Sequence, residues 1–176
     1  MKIGFCGTMS VGKTTLVNAL AELPEFKDYK STTERSKYLM ELGIPLNTDS
    51  TTKGQAVFLA ERASELMNKN IITDRTIIDV MAFAKCSKSM YPFEADDFIE
   101  FASHMINEYD YIFYVSPEGV DIENNGVRET DVEYRKKIDE TIQLLILKYK
   151  HKIKNLVEIK GSTKKRIKSV KLAVLS

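Results

Sequence analysis

Residues 2–15 have the sequence KIGFCGTMSVGKTT, in which a short apolar run leads into a glycine-rich segment and then a helical pattern. Residues 7–14 match G-x-x-x-x-G-K-[ST] at every fixed position. Gly7 and Gly12 permit backbone angles that turn successive N–H groups into an anion-binding concavity. Lys13 can reach the β- and γ-phosphates of a nucleoside triphosphate, and Thr14 can coordinate the Mg²⁺ that bridges them. The helix that follows directs its positive end at the same phosphates.

We call residues 7–14 the phosphate loop and expect it to bind ATP and Mg²⁺. The residues predicted to hold the nucleotide are Gly7, Thr8, Met9, Ser10, Val11, Gly12, Lys13, Thr14 and Thr15.

Outside this loop, short apolar runs alternate with longer stretches whose apolar residues are spaced by three and four. The predicted strands are 2–6, 28–33, 70–73, 109–116 and 156–159. The predicted helices are 13–23, 36–42, 52–68, 77–85, 95–108, 131–150 and 163–174, with Pro92 in a loop. This alternation predicts an α/β fold of three layers, with a mostly parallel five-stranded sheet covered by helices. Ligands of such folds bind beyond the carboxyl ends of the strands.

Length and composition exclude several classes of protein. The 176 residues contain 43% hydrophobic and 29% charged residues, which excludes a disordered chain and predicts one domain over 1–176. No stretch approaches the length of a membrane span, so no membrane partner is expected. The N-terminus lacks the apolar run of a signal peptide, and Cys6 and Cys86 form no disulfide framework. These features favour a cytoplasmic location, and they leave the oligomeric state open.

The net charge of +1 conceals a basic C-terminal segment, residues 148–176. This segment contains ten Lys or Arg and one acid, Glu158, and therefore carries a formal charge of +9. Charge runs usually form a solvated helix face. A basic surface also attracts phosphate-bearing partners, so DNA is the alternative partner.

Two pairs of charged residues have the chemistry needed at the transferred phosphoryl group. Asp74 and Arg75 follow the third predicted strand, where the carboxylate could hold Mg²⁺ or accept a proton and the guanidinium could bind a phosphate. Asp74 could instead cap the next helix. Arg128 and Arg135 follow the fourth strand, in a predicted lid over about 118–135, and could stabilise the transferred group. Their alternative is a surface salt bridge with neighbouring acids.

An acceptor pocket is predicted after the second strand. Glu34 lies there beside Arg35, and its carboxylate could orient or deprotonate an attacking hydroxyl. Gln55 and Phe58 share one face of a predicted helix, where the amide could bind a base edge and the ring could stack on it. Core packing is the alternative role for Phe58.

Other features separate the classes of protein that use this loop. Guanine-specific switches carry D-x-x-G and N-K-x-D, which this sequence lacks, and ATP-driven machines usually end a strand with an Asp-Glu pair, also lacking here. Small kinases instead need an acceptor pocket and arginines around the transferred group. The sequence therefore favours a small kinase.

Five segments carry a resemblance to a known family. They are GTMSVGKTT (7–15), TTERSKYL (32–39), IITDRTIIDVMAFA (71–84), GVRETDVEYRKKID (126–139) and VEIKGSTKKRI (157–167). They resemble the nucleoside and nucleotide kinases among P-loop proteins, specifically the AAA-type kinase domains related to ribosylnicotinamide kinase, a group that includes many phage proteins.

The resemblance implies ATP-dependent transfer of the γ-phosphoryl group to a nucleoside, nucleotide or nucleotide-like acceptor. The implied roles are an acceptor-side pair at Glu34 and Arg35, an acid–arginine motif at Asp74 and Arg75, lid arginines at Arg128 and Arg135, and an adenine-side loop at Gly161 and Ser162. Two alternatives stay open: a phage-type kinase of a hydroxymethylated base (5-hydroxymethyluracil) in DNA, and an ATP-binding switch without transfer.

Overall fold

The computed structural model describes residues 1–33, 36–118 and 131–175. Its strands are β1 (Lys2–Cys6), β2 (Lys30–Thr32), β3 (Ile71–Asp74), β4 (Tyr111–Val115) and β5 (Leu156–Ile159). Its helices are α1 (Lys13–Ala21), α2 (Ser36–Glu41), α3 (Thr52–Glu65), α4 (Ile77–Cys86), α5 (Pro92–Ser103), α6 (Val132–Lys148) and α7 (Thr163–Leu175). The predicted α/β fold with five strands is confirmed.

The five strands form one sheet in the order β2-β3-β1-β4-β5. All four described strand pairs are parallel, where the sequence predicted a mostly parallel sheet. The strand β1 is central: the chain places β2 and β3 on one side of it and then crosses over to place β4 and β5 on the other. The crevice beyond its carboxyl end is where such sheets bind ligands. The phosphate loop begins there, directly after Cys6.

Alternate residues of β1 pack on opposite faces of the sheet, as a strand buried on both sides requires. Ile3 and Phe5 belong to the core beneath α1 and α7, whereas Cys6 belongs to the core beneath α4, α5 and α6. Gly4 has no room for a side chain, because a Cβ there would lie 2.8 Å from the ring of Tyr109. The central strand is therefore covered by helices on both faces, which holds the loop that follows it.

The helix boundaries differ from the predicted ones mainly at proline. Pro92 was predicted to lie in a loop, but it is the first residue of α5, where its fixed φ suits a helix start and its missing N–H would have had no partner. The same helix ends at Ser103 rather than 108, and a 3₁₀ turn, Ile106–Glu108, follows. Among the described residues, no helix is long and apolar enough to cross a membrane.

Candidate functional site

The phosphate loop connects β1 to α1 and surrounds a cavity of about 270 Å³. Gly12 has a φ of 81°, in the left-handed region that glycine tolerates best. Gly7 lies against β4, where a Cβ would be 2.6 Å from the main-chain oxygen of Val115. The side chains of Met9 and Val11 are buried in the core, so the loop offers its main chain to a ligand. The cavity is lined by Met9, Ser10, Val11, Gly12, Lys13, Thr14, Asp74 and Arg75.

Lys13 lies inside the loop and is 6% exposed. Its Nζ donates hydrogen bonds to the main-chain oxygens of Gly7 and Thr8, at 2.7 and 2.8 Å. Burial, reinforced by the positive charge of Arg75, lowers the pKa of Lys13. Among the described residues, this buried ammonium donates hydrogen bonds only to carbonyl oxygens, and a polyanionic ligand would add a direct counter-ion to the more remote charges of Asp74 and Asp79.

Asp74 ends β3 beside the phosphate loop and is almost completely buried. Its Oδ2 accepts a hydrogen bond from Thr14 Oγ1, and its Oδ1 is buried without a hydrogen-bond partner among the described residues. Thr76, not Asp74, caps α4, so the capping interpretation of Asp74 is wrong. A hydroxyl and a carboxylate with an unused oxygen are ligands that Mg²⁺ accepts. Thr14 and Asp74 therefore fit a magnesium site.

Arg75 lies between two cavities. Its φ of 78° is unusual for a residue with a side chain, and its main-chain N–H donates to Phe5 O at 3.0 Å. Its guanidinium lies 4.7 Å from the centre of the Phe83 ring, within the range of a cation–π interaction. Arg75 lines the phosphate-loop cavity and also a second pocket.

The second pocket has a volume of about 350 Å³. Its described lining consists of Ser36, Leu46, Asn47, Gln55, Phe58, Arg75, Val80 and Phe83. Of these eight residues only Arg75 carries a charge. The structure thus brings Gln55 and Phe58 into one pocket with Phe83, a ring that the sequence analysis missed because a ring in the largely apolar helix α4 is typical of core packing.

Several predicted site residues lie elsewhere or outside the described ranges. Glu34, Arg35 and Arg128 fall outside them, as does most of the predicted lid over 118–135. Arg135 lies in the first turn of α6, and its main-chain oxygen accepts a hydrogen bond of 3.0 Å from Thr8 Oγ1. The start of α6 is therefore bonded to the phosphate loop.

Three of the nine residues predicted to hold the nucleotide do not line the phosphate-loop cavity: Gly7, Thr8 and Thr15. The main-chain N–H of Gly7 is engaged by Asp79, and the side chain of Thr8 is buried. Thr15 is exposed at the start of α1. The structure thus gathers the other six residues, 9–14, around the cavity.

Asp79 is a supporting residue that the sequence analysis did not single out. It is fully buried, and its Oδ1 accepts from Gly7 N at 3.1 Å while its Oδ2 accepts from Thr76 N at 2.7 Å. Burial raises the pKa of Asp79, against the opposing effect of Lys13 and Arg75. The T-x-x-D pattern at 76–79 could have predicted the helix cap, but not the contact with a loop 72 residues earlier.

Arg62 supports Asp74 from the side of α3. This buried guanidinium donates to the main-chain oxygen of Asp74 at 2.8 Å and to Glu65 Oε1 at 2.8 Å. The other carboxylate oxygen of Glu65 accepts from Thr73 Oγ1 at 2.8 Å. Helix α3 is thereby bonded to the end of β3, which fixes the main chain that carries Asp74.

A phosphate-binding loop at the switch point of a parallel sheet, with an adjacent carboxylate and arginine, defines a P-loop protein. The family model described as an AAA domain matches residues 2–166, and the chain belongs to that family. No curated protein matches the sequence.

Solved structures share the fold. Deoxyadenosine kinase from M. mycoides with bound dATP is 18% identical, with a TM-score of 0.70 and complete coverage of both chains. The same enzyme with dCTP is 18% identical, with a TM-score of 0.69 and 99% coverage of both chains. The NadR protein in complex with NR is 17% identical, with a TM-score of 0.75, and the match covers 99% of this chain and 51% of NadR.

Proposed function

We propose that the protein is an ATP- and Mg²⁺-dependent kinase that phosphorylates a hydroxyl of a nucleoside. The observation that carries this proposal is the position of Arg75, which lines both the phosphate-loop cavity and the second pocket. A phosphoryl group moving from one cavity to the other would pass this guanidinium, which could neutralise the charge on its oxygens.

The residues of the first cavity supply the donor half of the reaction. The ammonium of Lys13 and the main-chain N–H groups of the loop would bind the β- and γ-phosphates. Thr14 and Asp74 would hold Mg²⁺, which would supply neutralisation of phosphate charge. The arginines predicted after the fourth strand, Arg128 and Arg135, would close over the transferred group and exclude water.

The second pocket supplies the acceptor half. Phe58 and Phe83 offer aromatic faces to a base, and the amide of Gln55 can bond to its edge. Glu34 would orient or deprotonate the attacking hydroxyl, with Arg35 beside it. The hydroxyl oxygen would then bond to the γ-phosphorus as the bond to the ADP oxygen breaks, and its proton would pass to a carboxylate, either Glu34 or Asp74.

Charge favours a nucleoside over a nucleoside monophosphate as the acceptor. A monophosphate brings about two negative charges, which normally require several cations. The described lining of the second pocket contains one cation, Arg75, which also lines the donor cavity, and the charge of the proposed acceptor-side Arg35 would be offset by its neighbour Glu34. Among the similar structures, the deoxyadenosine kinases and the NadR complex with NR support a nucleoside-like acceptor.

Phosphate transfer to a panel of acceptors tests the proposal. The protein would be incubated with ATP labelled in the γ-phosphate and with nucleosides, nucleoside monophosphates, ribosylnicotinamide, or plain and base-modified DNA. We expect label in one or more nucleosides, and none with Lys13→Met as the matched control. Label in DNA alone would support the DNA-base kinase instead. Slow hydrolysis without a labelled acceptor would support an ATP-binding switch.

A further inference from the structure

A buried arginine from the last helix contacts the phosphate loop. Arg166 lies in α7 and is 4% exposed. Its Nη1 donates a hydrogen bond of 2.5 Å to the main-chain oxygen of Val11, a residue 155 positions earlier. Its Nε and Nη2 are also buried, and neither has a hydrogen-bond partner in the described part of the chain. The contact therefore joins the C-terminal helix to the nucleotide cradle through one charged group.

Among the residues that the structure describes, no carboxylate forms a salt bridge with Arg166. Burial alone lowers the pKa of its guanidinium. Arg62, the other buried arginine near the site, differs because it is paired with Glu65 at 2.8 Å. A buried charge without a counter-ion is costly, so its retention beside an anion-binding loop points to a ligand that supplies the negative charge.

The geometry of the peptide shows what Arg166 can do. Val11 O and Gly12 N belong to the same peptide unit, and the structure has no cis peptide bonds among the residues described. In a trans peptide the N–H points away from the carbonyl oxygen, so the N–H of Gly12 points away from Arg166. A Cβ at Gly12 would lie 3.2 Å from Arg166 Nη1, a tight contact, and the φ of 81° at this position already favours glycine.

We propose that Arg166 is a positioning residue for ATP, which fixes the Val11–Gly12 peptide so that the Gly12 N–H faces the bound phosphates. A charge-assisted hydrogen bond to the carbonyl polarises the peptide and strengthens its N–H as a donor. The positive charge behind the loop adds to the attraction for the polyphosphate. This role rests on the proposed function, since it concerns the same donor site.

Three substitutions separate the contributions of charge and hydrogen bond. Arg166→Met removes both, Arg166→Gln keeps a neutral N–H donor, and Arg166→Lys keeps the charge. We expect Arg166→Met to weaken ATP binding about tenfold or more and to raise the KM for ATP, with the KM for the acceptor unchanged. Arg166→Gln and Arg166→Lys should each bind ATP more tightly than Arg166→Met and less tightly than the wild type. Lys168→Met, an exposed residue of the same helix, is the control and should bind ATP as the wild type does.

The test measures ATP binding by calorimetry, together with the thermal unfolding of each variant with and without ATP. A merely structural role would lower the unfolding temperature of the free protein and leave the ATP-induced increase intact. We expect the opposite: a reduced ATP-induced increase in Arg166→Met. The inference would be overturned if every Arg166 variant that folds bound ATP as tightly as the wild type does. Failure of the wild type to bind ATP would overturn the proposed function itself.

Discussion

One carboxylate oxygen of Asp74 accepts a hydrogen bond from the Thr14 hydroxyl. The other oxygen is buried and has no hydrogen-bond partner among the residues described. Asp74→Asn preserves the size of the side chain and the acceptor for Thr14 but removes the charge. We therefore expect the free energy of unfolding to change little and kcat to fall about 10²-fold or more, because the amide binds Mg²⁺ poorly.

The measurement for Asp74→Asn is kcat as a function of Mg²⁺ concentration, with denaturant unfolding as the control for stability. A higher Mg²⁺ requirement alongside the lower kcat would identify a metal-binding role. Wild-type kcat at saturating Mg²⁺ would remove Asp74 from the metal site.

Lys13 makes the donor site sensitive to pH. Its folded-state pKa lies below the ordinary value of 10.5, because burial and Arg75 both disfavour the ammonium. The buried charge therefore costs stability at neutral pH, and this cost disappears as the pH rises through the lowered pKa. ATP binding requires the charged form, so affinity should weaken over the same alkaline interval and binding should take up a proton there.

Calorimetry measures ATP binding at neutral and alkaline pH. Repeating it in buffers with different ionisation enthalpies gives both the affinity for ATP and the number of protons taken up on binding. Lys13→Arg keeps its charge throughout this range, so whatever affinity it retains should vary less with pH. The prediction would be contradicted if the ATP affinity of the wild type stayed constant up to the ordinary lysine pKa of 10.5.

At the scale of elements, Arg62 and Glu65 form an ion pair within α3, and each also bonds to the end of β3, Arg62 to Asp74 O and Glu65 to Thr73 Oγ1. Breaking a buried pair from one side leaves the partner's charge uncompensated, whereas replacing both charges can be nearly neutral. Arg62→Met should therefore reduce the free energy of unfolding by about 3 kcal/mol, and adding Glu65→Gln should recover part of the loss. Denaturant unfolding of the wild type, both single variants and the double variant measures this coupling. Additive losses would show that the pair contributes no coupling energy.

The elements themselves were largely predictable from the sequence, for a physical reason. Strands buried on both faces, such as β1 and β4, are continuous apolar runs, and the phosphate loop has a fixed pattern because few backbones form its concavity. Pro92 was misassigned because proline can begin a helix as well as end one. The local sequence does not decide between these two positions of a proline, because the choice depends on the tertiary contacts of the segment.

The supporting residues of the site could not be predicted, because their partners are distant in sequence. Asp79 bonds to Gly7, and Arg166 bonds to Val11, across 72 and 155 residues. No periodicity or spacing encodes such contacts. Asp74 shows the intermediate case: its place after a predicted strand of a mostly parallel sheet indicated the edge where ligands bind, but only the observed cap at Thr76 excluded its capping role.

At the scale of the whole molecule, the charge of the C-terminal segment is partly balanced by acids from other elements. Four of its lysines form salt bridges: Lys152 with Glu100, Lys154 with Asp110, Lys160 with Glu118 and Lys171 with Glu25. Arg166 is buried as well. At least half of the ten basic residues are therefore engaged by the described part of the fold, which leaves a weaker basic surface than the sequence suggested.

The salt dependence of substrate binding distinguishes a nucleoside acceptor in the second pocket from DNA bound to the basic C-terminal segment. A protein that contacts six or more DNA phosphates loses about 10³-fold or more in affinity between low and physiological salt, because bound counter-ions are released. A neutral nucleoside in the second pocket has no phosphate to screen, so its KM should change by less than about twofold over the same range. The measurement pairs initial rates of label transfer with the fluorescence anisotropy of a labelled duplex. Tight duplex binding with a steep salt slope, together with poor nucleoside turnover, would show that the basic segment binds the substrate and that DNA is the acceptor.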